Sequence, residues 1–345
     1  MAVEHDTLLR SDVERYAAAI GQDLTLVQGA GGNLSWKDGN ILWIKASGTW
    51  LADALKQDIF VPVDLERARA LGADGAEDFS PALLESGRGR PSIETPLHAL
   101  MTQRIVSHVH SVDAIAWSVL VNAREQIATR LGQLSWCWID YAKPGKDLSL
   151  SLASQLRSQQ RAPDIVLLGN HGLVVGGDTV EEVDRLSREV CSLLARSART
   201  PAGGTAGMMQ ALATEWRAKG YAPATGQNVR ALACDADLLR RAQSEWVLYP
   251  DHAVFLGATA AIARADESPE ACLDRLQRRP PVILVAGKGV VVEDMASLNQ
   301  RLMLGCYADV LCRLQPEEIV RPLSQTEVAA LLNLEQEKYR QRHSR

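Results

Sequence analysis

Three of the chain's seven histidines stand in short settings suited to chemistry. His108 and His110 form the run HVH at the end of the apolar segment RIVSHVH, which reads as a strand over 104–110. Side chains two residues apart on a strand point to one face, so both rings can converge on a single point. Such a pair serves either a metal ion or merely an exposed strand face. The HxHxDH pattern of β-sandwich metallo-hydrolases is absent, because Ser111, Val112 and Asp113 follow His110. A barrel amidohydrolase would carry HxH near its start and need eight βα units, which are not visible. His171 lies in GNHGLVVGG, between Asn170 and Gly172 at the end of an apolar strand. That places it on a tight turn, as a third ligand or as a structural histidine. Three histidines from two strand ends would leave coordination positions open, as a catalytic metal requires, whereas structural zinc sites are closed and rich in cysteine.

A carboxylate comes next. In RPSIETPLHAL, Ser92 can cap a helix with Glu94 in its first turn and His98 four residues further on the same face. Glu94 there is either favoured by the helix dipole or sited to ligate a metal and shuttle a proton. Gly29-Ala30-Gly31-Gly32-Asn33, Ser35, Ser47-Gly48-Thr49 and Ser92 supply backbone N–H groups, hydroxyls and an amide of the kind that cradles anions. GAGGN is neither a P-loop, lacking the GKS or GKT ending, nor a dinucleotide fingerprint, so nucleotide use is disfavoured.

The elements that must position these groups alternate. A helix is predicted over 8–20, then two strand-like runs around LSW and ILWIK joined by KDGN, a strand over 59–63 and a helix after it. The polar, Gly-rich stretch 73–91 reads as a long loop. The hairpin DIVLLGNHGLVVGG (164–177) and a helix from Thr179 to Ser197 close this part. Alternation of this kind implies an α/β fold. TPAGGTAG (200–207) is the best boundary, giving a catalytic domain over 1–200, a linker and helical segment over 201–245, and a C-terminal α/β region over 246–345. Segment 164–196 aligns with 281–314, with Lys288 in the place of His171. This is either a degenerate partial repeat without a metal site or a chance match of two β-turn-β-α units.

The ordered set GGNLSWKDGNILWIKASGTWL, PSIETPLHAL, IVSHVHS and LLGNHGLVVGGDT resembles the class II aldolase/adducin family, which includes zinc-dependent fuculose- and rhamnulose-phosphate aldolases and ribulose-phosphate 4-epimerases. It is most similar to the aldolase part of the bifunctional rhamnulose-1-phosphate aldolase/alcohol dehydrogenases, but without their dehydrogenase fingerprint, so no nicotinamide is expected. The resemblance implies a three-layer α/β/α fold. It implies that His108, His110, His171 and Glu94 hold a divalent metal, normally Zn2+ with Mn2+ or Co2+ as alternatives, and that Glu94 is the acid/base. Gly32, Asn33, Ser47, Gly48 and Ser92 match phosphate-binding positions, while Ile93 replaces a serine that often precedes the glutamate. The implied reaction is aldol cleavage of a ketose phosphate or related sugar acid through a metal-stabilised enediolate. A sugar-phosphate 4-epimerase or decarboxylase of the same fold is the alternative. Adducins, which are interaction modules, have lost the ligands that this chain retains. Family members are commonly homo-tetramers.

Composition narrows the partners. A net charge of −5 offers no basic field for nucleic acid or anionic membrane. No apolar run spans a bilayer, and MAVEHDTLLRSDVERYAAAIG lacks the uninterrupted apolar stretch of a signal peptide, so a cytoplasmic protein is expected. Six scattered cysteines without a CxxC read as reduced thiols.

Overall fold

A computed structural model describes residues 7–159 and 161–343; the first six residues of the opening segment lie outside it. The chain divides into two units, one of residues up to 195 together with the segment from 330, the other of residues 196–329.

The first unit is built on one sheet. Strands β1 (Asn33–Asp38) and β2 (Ile41–Lys45) form a hairpin whose turn is Gly39-Asn40. Gly39 has φ +56°, a region that costs a residue without Cβ nothing. With β3 (Phe60–Asp64), β4 (Ile105–Val109), β5 (Trp136–Ile139), β6 (Ile165–Leu168) and β7 (Gly172–Gly177), the order is β3-β2-β1-β4-β7-β6-β5, antiparallel except for the parallel pair β5–β6. Helices α1 (Thr7–Gln22), α2 (Leu65–Ala73), α3 (Thr95–Leu100), α4 (Val112–Ser118), α5 (Ala123–Leu131), α6 (Lys146–Arg157) and α7 (Val180–Leu193) cover it. Strand alternation sets the layers. Leu42, Ile44, Val61 and Val63 pack on Ala68 and Ala99, and Val106, Val166 and Val174 pack on Leu97, Leu148 and Leu152, so α2, α3 and α6 lie on one face. Helices α1, α4, α5 and α7 take the other, where Tyr16 of α1 reaches Ser187 of α7. The result is the expected α/β/α sandwich.

Local chemistry starts the helices where expected. Asp64 caps α2 by accepting from the Arg67 N–H, and Thr179 with Glu182 forms a capping box on α7. The stretch expected as a loose loop, 73–91, is more ordered than its polarity implies. Phe79 and Ala82 are buried beside Val61 and Val63, and bridges Val63–Leu83 and Ala46–Pro91 pin it to the sheet. Two buried apolar side chains and two bridges hold a segment that is otherwise polar.

The second unit holds a smaller sheet, β8-β11-β10-β9, made of β8 (Tyr221–Pro223), β9 (Ile262–Ala263), β10 (Val282–Val285) and β11 (Gly289–Glu293). Its helices are α8 (Ala206–Trp216), α9 (Gln227–Cys234), α10 (Ala236–Ser244), α11 (Pro250–Leu256), α12 (Pro269–Leu276) and α13 (Leu298–Arg313). Residues 201–245, expected as a linker and helical segment, supply one strand and three helices of this unit, because Leu212, Trp216 and Tyr221 are buried against Ile283 and Val291. The two aligned segments each form a hairpin followed by a long helix, β6-β7-α7 and β10-β11-α13. At the second turn Lys288 pairs with Glu215 at 3.1 Å. Helix α14 (Gln325–Leu332) leads the chain back to the first unit, where α15 (Glu335–His343) packs. All six cysteines are free, and among the described residues no helix is long and apolar enough to cross a membrane.

His252 on α11 is fully buried among Trp246, Tyr249 and Tyr307, with no hydrogen-bond partner for either ring nitrogen. Burial pushes its imidazole down to about 3. An unfolded histidine takes its proton near 6.5, so folding releases that proton across the window between the two values, and stability falls as pH drops through it. Denaturant unfolding should show this unit losing about 2 kcal/mol between pH 7 and pH 5, and His252→Phe should flatten that slope.

Candidate metal centre and anion pocket

The site assembles at one end of the central strands. His108 is the fourth residue of β4, facing Asn33 of β1 and Val174 of β7. His110 follows the strand, held from behind by the Gln28 amide, which donates to its carbonyl at 3.3 Å. His171 sits in the three-residue turn between β6 and β7, after Asn170 at φ +53°. Asparagine tolerates this left-handed conformation, and the resulting tight turn aims the next side chain back over the sheet end.

The three rings converge. His108 Nε2 and His110 Nε2 are 3.1 Å apart, and the ring centroids are 4.9 Å (His108–His110), 4.9 Å (His108–His171) and 5.2 Å (His110–His171) from one another. One nitrogen of each lies within 4.8 Å of the others, and all three residues are buried. The Glu94 carboxylate closes the cluster, with Oε2 3.5 Å from His108 Nε2 and Oε1 3.5 Å from His171 Nε2. Burial pushes this carboxyl up, but the neighbouring imidazoles, His108 foremost, outweigh it and hold it down at about 2. Asn33 Nδ2 donates to Oε2 at 2.6 Å, while Oε1 accepts no hydrogen bond. A buried carboxylate oxygen without a donor is costly unless a cation or proton faces it. The His108 Nδ1 lies 3.1 Å from the Leu173 carbonyl, which can only accept. Nδ1 therefore carries the hydrogen, and the Nε2 lone pair is left for the cluster centre. The donor set of three imidazoles and a carboxylate thus fits a divalent cation.

Glu94 differs from its expected place. It is the N-cap residue of α3 rather than a first-turn residue, its side chain makes no capping bond, and Ser92 Oγ accepts from its backbone N–H at 3.2 Å. The carboxylate is thereby free to turn toward the histidines. His98 stays outside the cluster. Its Nδ1 contacts Ser35 Oγ at 2.7 Å, and burial pushes its imidazole down to about 3.

Beside the metal centre, Asn33, Ser47, Gly48 and Ser92 line one pocket with Ala30, Lys45, Ile93 and Glu94. Gly32, expected among them, is not part of this wall. It has φ +63°, and a Cβ there would stand 2.9 Å from the His108 carbonyl, so its role is to let the GAGGN loop pass close to β4. The loops meet because Ser47 donates its N–H to the Arg90 carbonyl at 2.8 Å, next to the Ala46–Pro91 bridge. Sequence reasoning missed Lys45. It is 2% exposed, and its Nζ donates to the carbonyls of Ala30 and Thr49 at 2.9 and 2.8 Å, tying the GAGGN loop to the loop after β2. It also missed Gln336, Glu337 and Arg340 of α15, which complete the wall; EQEKYRQRH carries no sequence signal for it, reading as a solvated helix. A larger cavity of about 750 Å3 lies against α1 and α7 and touches Val109, which strand alternation turns away from His108.

Residues 15–194 match the family model of the Class II Aldolase and Adducin N-terminal domain, over half of the chain. The chain belongs to the class II aldolase and adducin family. Among relatives, the uncharacterized oxidoreductase YuxG of Bacillus subtilis is 32% identical over 178 residues, which cover 47% of this chain and 25% of that protein. The chain thus spans a quarter of the length of that relative. The L-fuculose phosphate aldolase of Methanococcus maripaludis is 26% identical, covering 46% of this chain and 80% of its own. Among solved structures, the N-terminal class II aldolase domain of a conserved protein from Thermoplasma acidophilum is 25% identical, covering 56% of this chain and 95% of that one at a TM-score of 0.48.

If the three histidines hold an ion, removing one donor releases it. His171→Ala should lower bound divalent metal at least tenfold by elemental analysis after dialysis, with the melting temperature of the metal-free protein nearly unchanged. Gly172 is a different case. A Cβ there would lie 2.5 Å from the Val109 carbonyl and 3.3 Å from His108 Cε1, so Gly172→Ala must push β7 away from β4. That variant should lose about 2 kcal/mol or more in denaturant unfolding, and metal affinity with it.

Proposed function

We propose that the chain is a divalent-metal-dependent aldolase that cleaves a carbon–carbon bond in a ketose phosphate or a related hydroxy-keto sugar acid. The observation that carries this reading is the buried convergence of His108, His110 and His171 on the Glu94 carboxylate, next to a polar pocket for the far end of a substrate. The L-fuculose phosphate aldolases among its relatives support the same class of reaction.

His108, His110 and His171 would hold the ion, with Glu94 as a fourth ligand before substrate arrives. When bound, the ion supplies Lewis-acid stabilisation of negative charge developing next to a carbonyl. The protein's own groups do the rest. Glu94 is ionised at neutral pH, so its Oε1 can take the proton of the hydroxyl whose carbon–carbon bond breaks and later return it to the new carbon terminus. Asn33 holds Oε2 at 2.6 Å and so fixes the direction in which Oε1 faces. Pocket residues Ser47, Gly48 and Ser92 position the non-reacting end, which converts its binding energy into alignment of the reacting carbons.

The test is a screen of ketose and aldose phosphates with metal-loaded protein, with carbonyl fragments trapped and counted. Two fragments support the aldolase; one isomer points to the epimerase of the same fold; no turnover of any sugar derivative, with or without metal, removes the enzyme reading. In the active reaction Glu94→Gln should keep most of the metal and lower kcat by about 10²–10⁴-fold. Full activity in that variant would remove Glu94 as the acid/base.

A further inference from the structure

Helix α15 fills space that a substrate would need. Its Gln336, Glu337 and Arg340 complete the pocket wall begun by Ser47, Gly48 and Ser92. With the helix docked, the pocket holds about 20 Å3, room for one water and for no sugar, phosphate or carboxylate. The same pocket reaches Glu94, so a molecule bridging the anion loops and the histidine cluster has no place either. His108, His110, His171 and Glu94 are each 5% exposed or less.

The helix is held in a way that lets it go. Its buried side chain is a glutamate, Glu337, while Glu335, Gln341, Arg342 and His343 are exposed. Its seat is polar: Gln336 Nε2 donates to the Glu77 carbonyl at 3.0 Å, and the Arg90 guanidinium lies over the Tyr339 ring at 4.5 Å. At Gly48 a Cβ would stand 3.1 Å from His343 Cβ, so the helix end lies directly against the anion loop. Such contacts trade against water and hold less than buried apolar side chains do. The helix also carries its own charge pairs, Glu335 with Lys338 at 2.7 Å and Glu337 with Arg340 at 2.8 Å, three residues apart, which persist in solvent. The apolar anchors precede it. Leu331 and Leu334 are 0% and 5% exposed, and a turn at Asn333 separates α14 from α15. Undocking α15 thus removes no fully buried apolar side chain from the core.

We propose that α15 is an autoinhibitory plug: docked, it holds the pocket shut, and the non-reacting end of the substrate enters only when the helix swings away at Asn333. The proposal rests on the reading of the pocket as a substrate site. It makes the observed affinity the intrinsic affinity multiplied by the fraction of molecules with the helix undocked, so whatever loosens the helix tightens binding.

The experiment uses the full-length chain with inorganic phosphate as the probe. Tyr339→Ala and Arg90→Ala each remove one side of the same stacked contact and leave the pocket wall intact. Each should speed amide hydrogen exchange over 335–343 and tighten phosphate binding, measured calorimetrically, about threefold or more. In the parent, phosphate should speed exchange over 335–343 and slow it over 46–49. Faster exchange with unchanged phosphate affinity overturns the proposal. So does unchanged exchange in both variants, since polar contacts would then not be what seats the helix, and so does an absence of phosphate binding in all three proteins. The probe needs no turnover, so the two readings fail separately. Protein whose helix opens for phosphate but that cleaves no sugar phosphate loses the aldolase and keeps the plug. Protein that cleaves one with the same KM in parent and variants, and with exchange over 335–343 indifferent to substrate, keeps the aldolase and loses the plug.

Discussion

A buried carboxylate 3.5 Å from two imidazoles, in a group of three whose nitrogens lie within 4.8 Å of one another, must share protons or a cation, and the strands of the first unit bring these groups together. Three of the four groups are oriented by a fixed partner. The Leu173 carbonyl sets the tautomer of His108, Asn33 takes one oxygen of Glu94, and Gln28 anchors His110 through its backbone. These partners come from β7, β1 and the segment before β1. The antiparallel neighbours of β4 are therefore as much a part of the site as the histidines on it.

Close backbone approach is the second constraint. Gly32 and Gly172 lie where a side chain would meet the carbonyls of His108 and Val109, on either side of β4. Both glycines stand within or beside motifs that look like ligand-binding loops. Their physical role is to let β1 and β7 close on the strand that bears the histidines. Lys45 works in the same sense, its buried ammonium donating to the Ala30 and Thr49 carbonyls of two different loops.

Much of this was legible in the sequence, and the reason is periodicity. HVH on an apolar strand fixes two rings on one face whatever surrounds it, and GNHG between two apolar runs fixes a turn. Capping residues Asp64 and Thr179 mark helix starts through bonds that span three residues. What the sequence left open depended on distant packing. The polar stretch 73–91 is ordered by Phe79 and Ala82 meeting β3, and 201–245 joins a domain because Trp216 and Tyr221 find β10 and β11. Glu94 moved from first turn to N-cap because Ser92 bonds its backbone, a shift of one residue that decides where the carboxylate points.

The sequence alone determined the histidine and carboxylate motifs, their order and the α/β alternation, since each rests on neighbours within a few residues. Only the tertiary structure decided that the two histidine motifs meet on Glu94, that Gly32 packs against β4 instead of lining the pocket, and that residues of α15 join the pocket wall. Residues more than 240 positions apart, such as Glu94 and Glu337, share a wall only through the return of the chain to the first unit. A helix written as EQEKYRQRH carries no local mark of that destination, because its pairing of charges is the same in solvent and in a pocket.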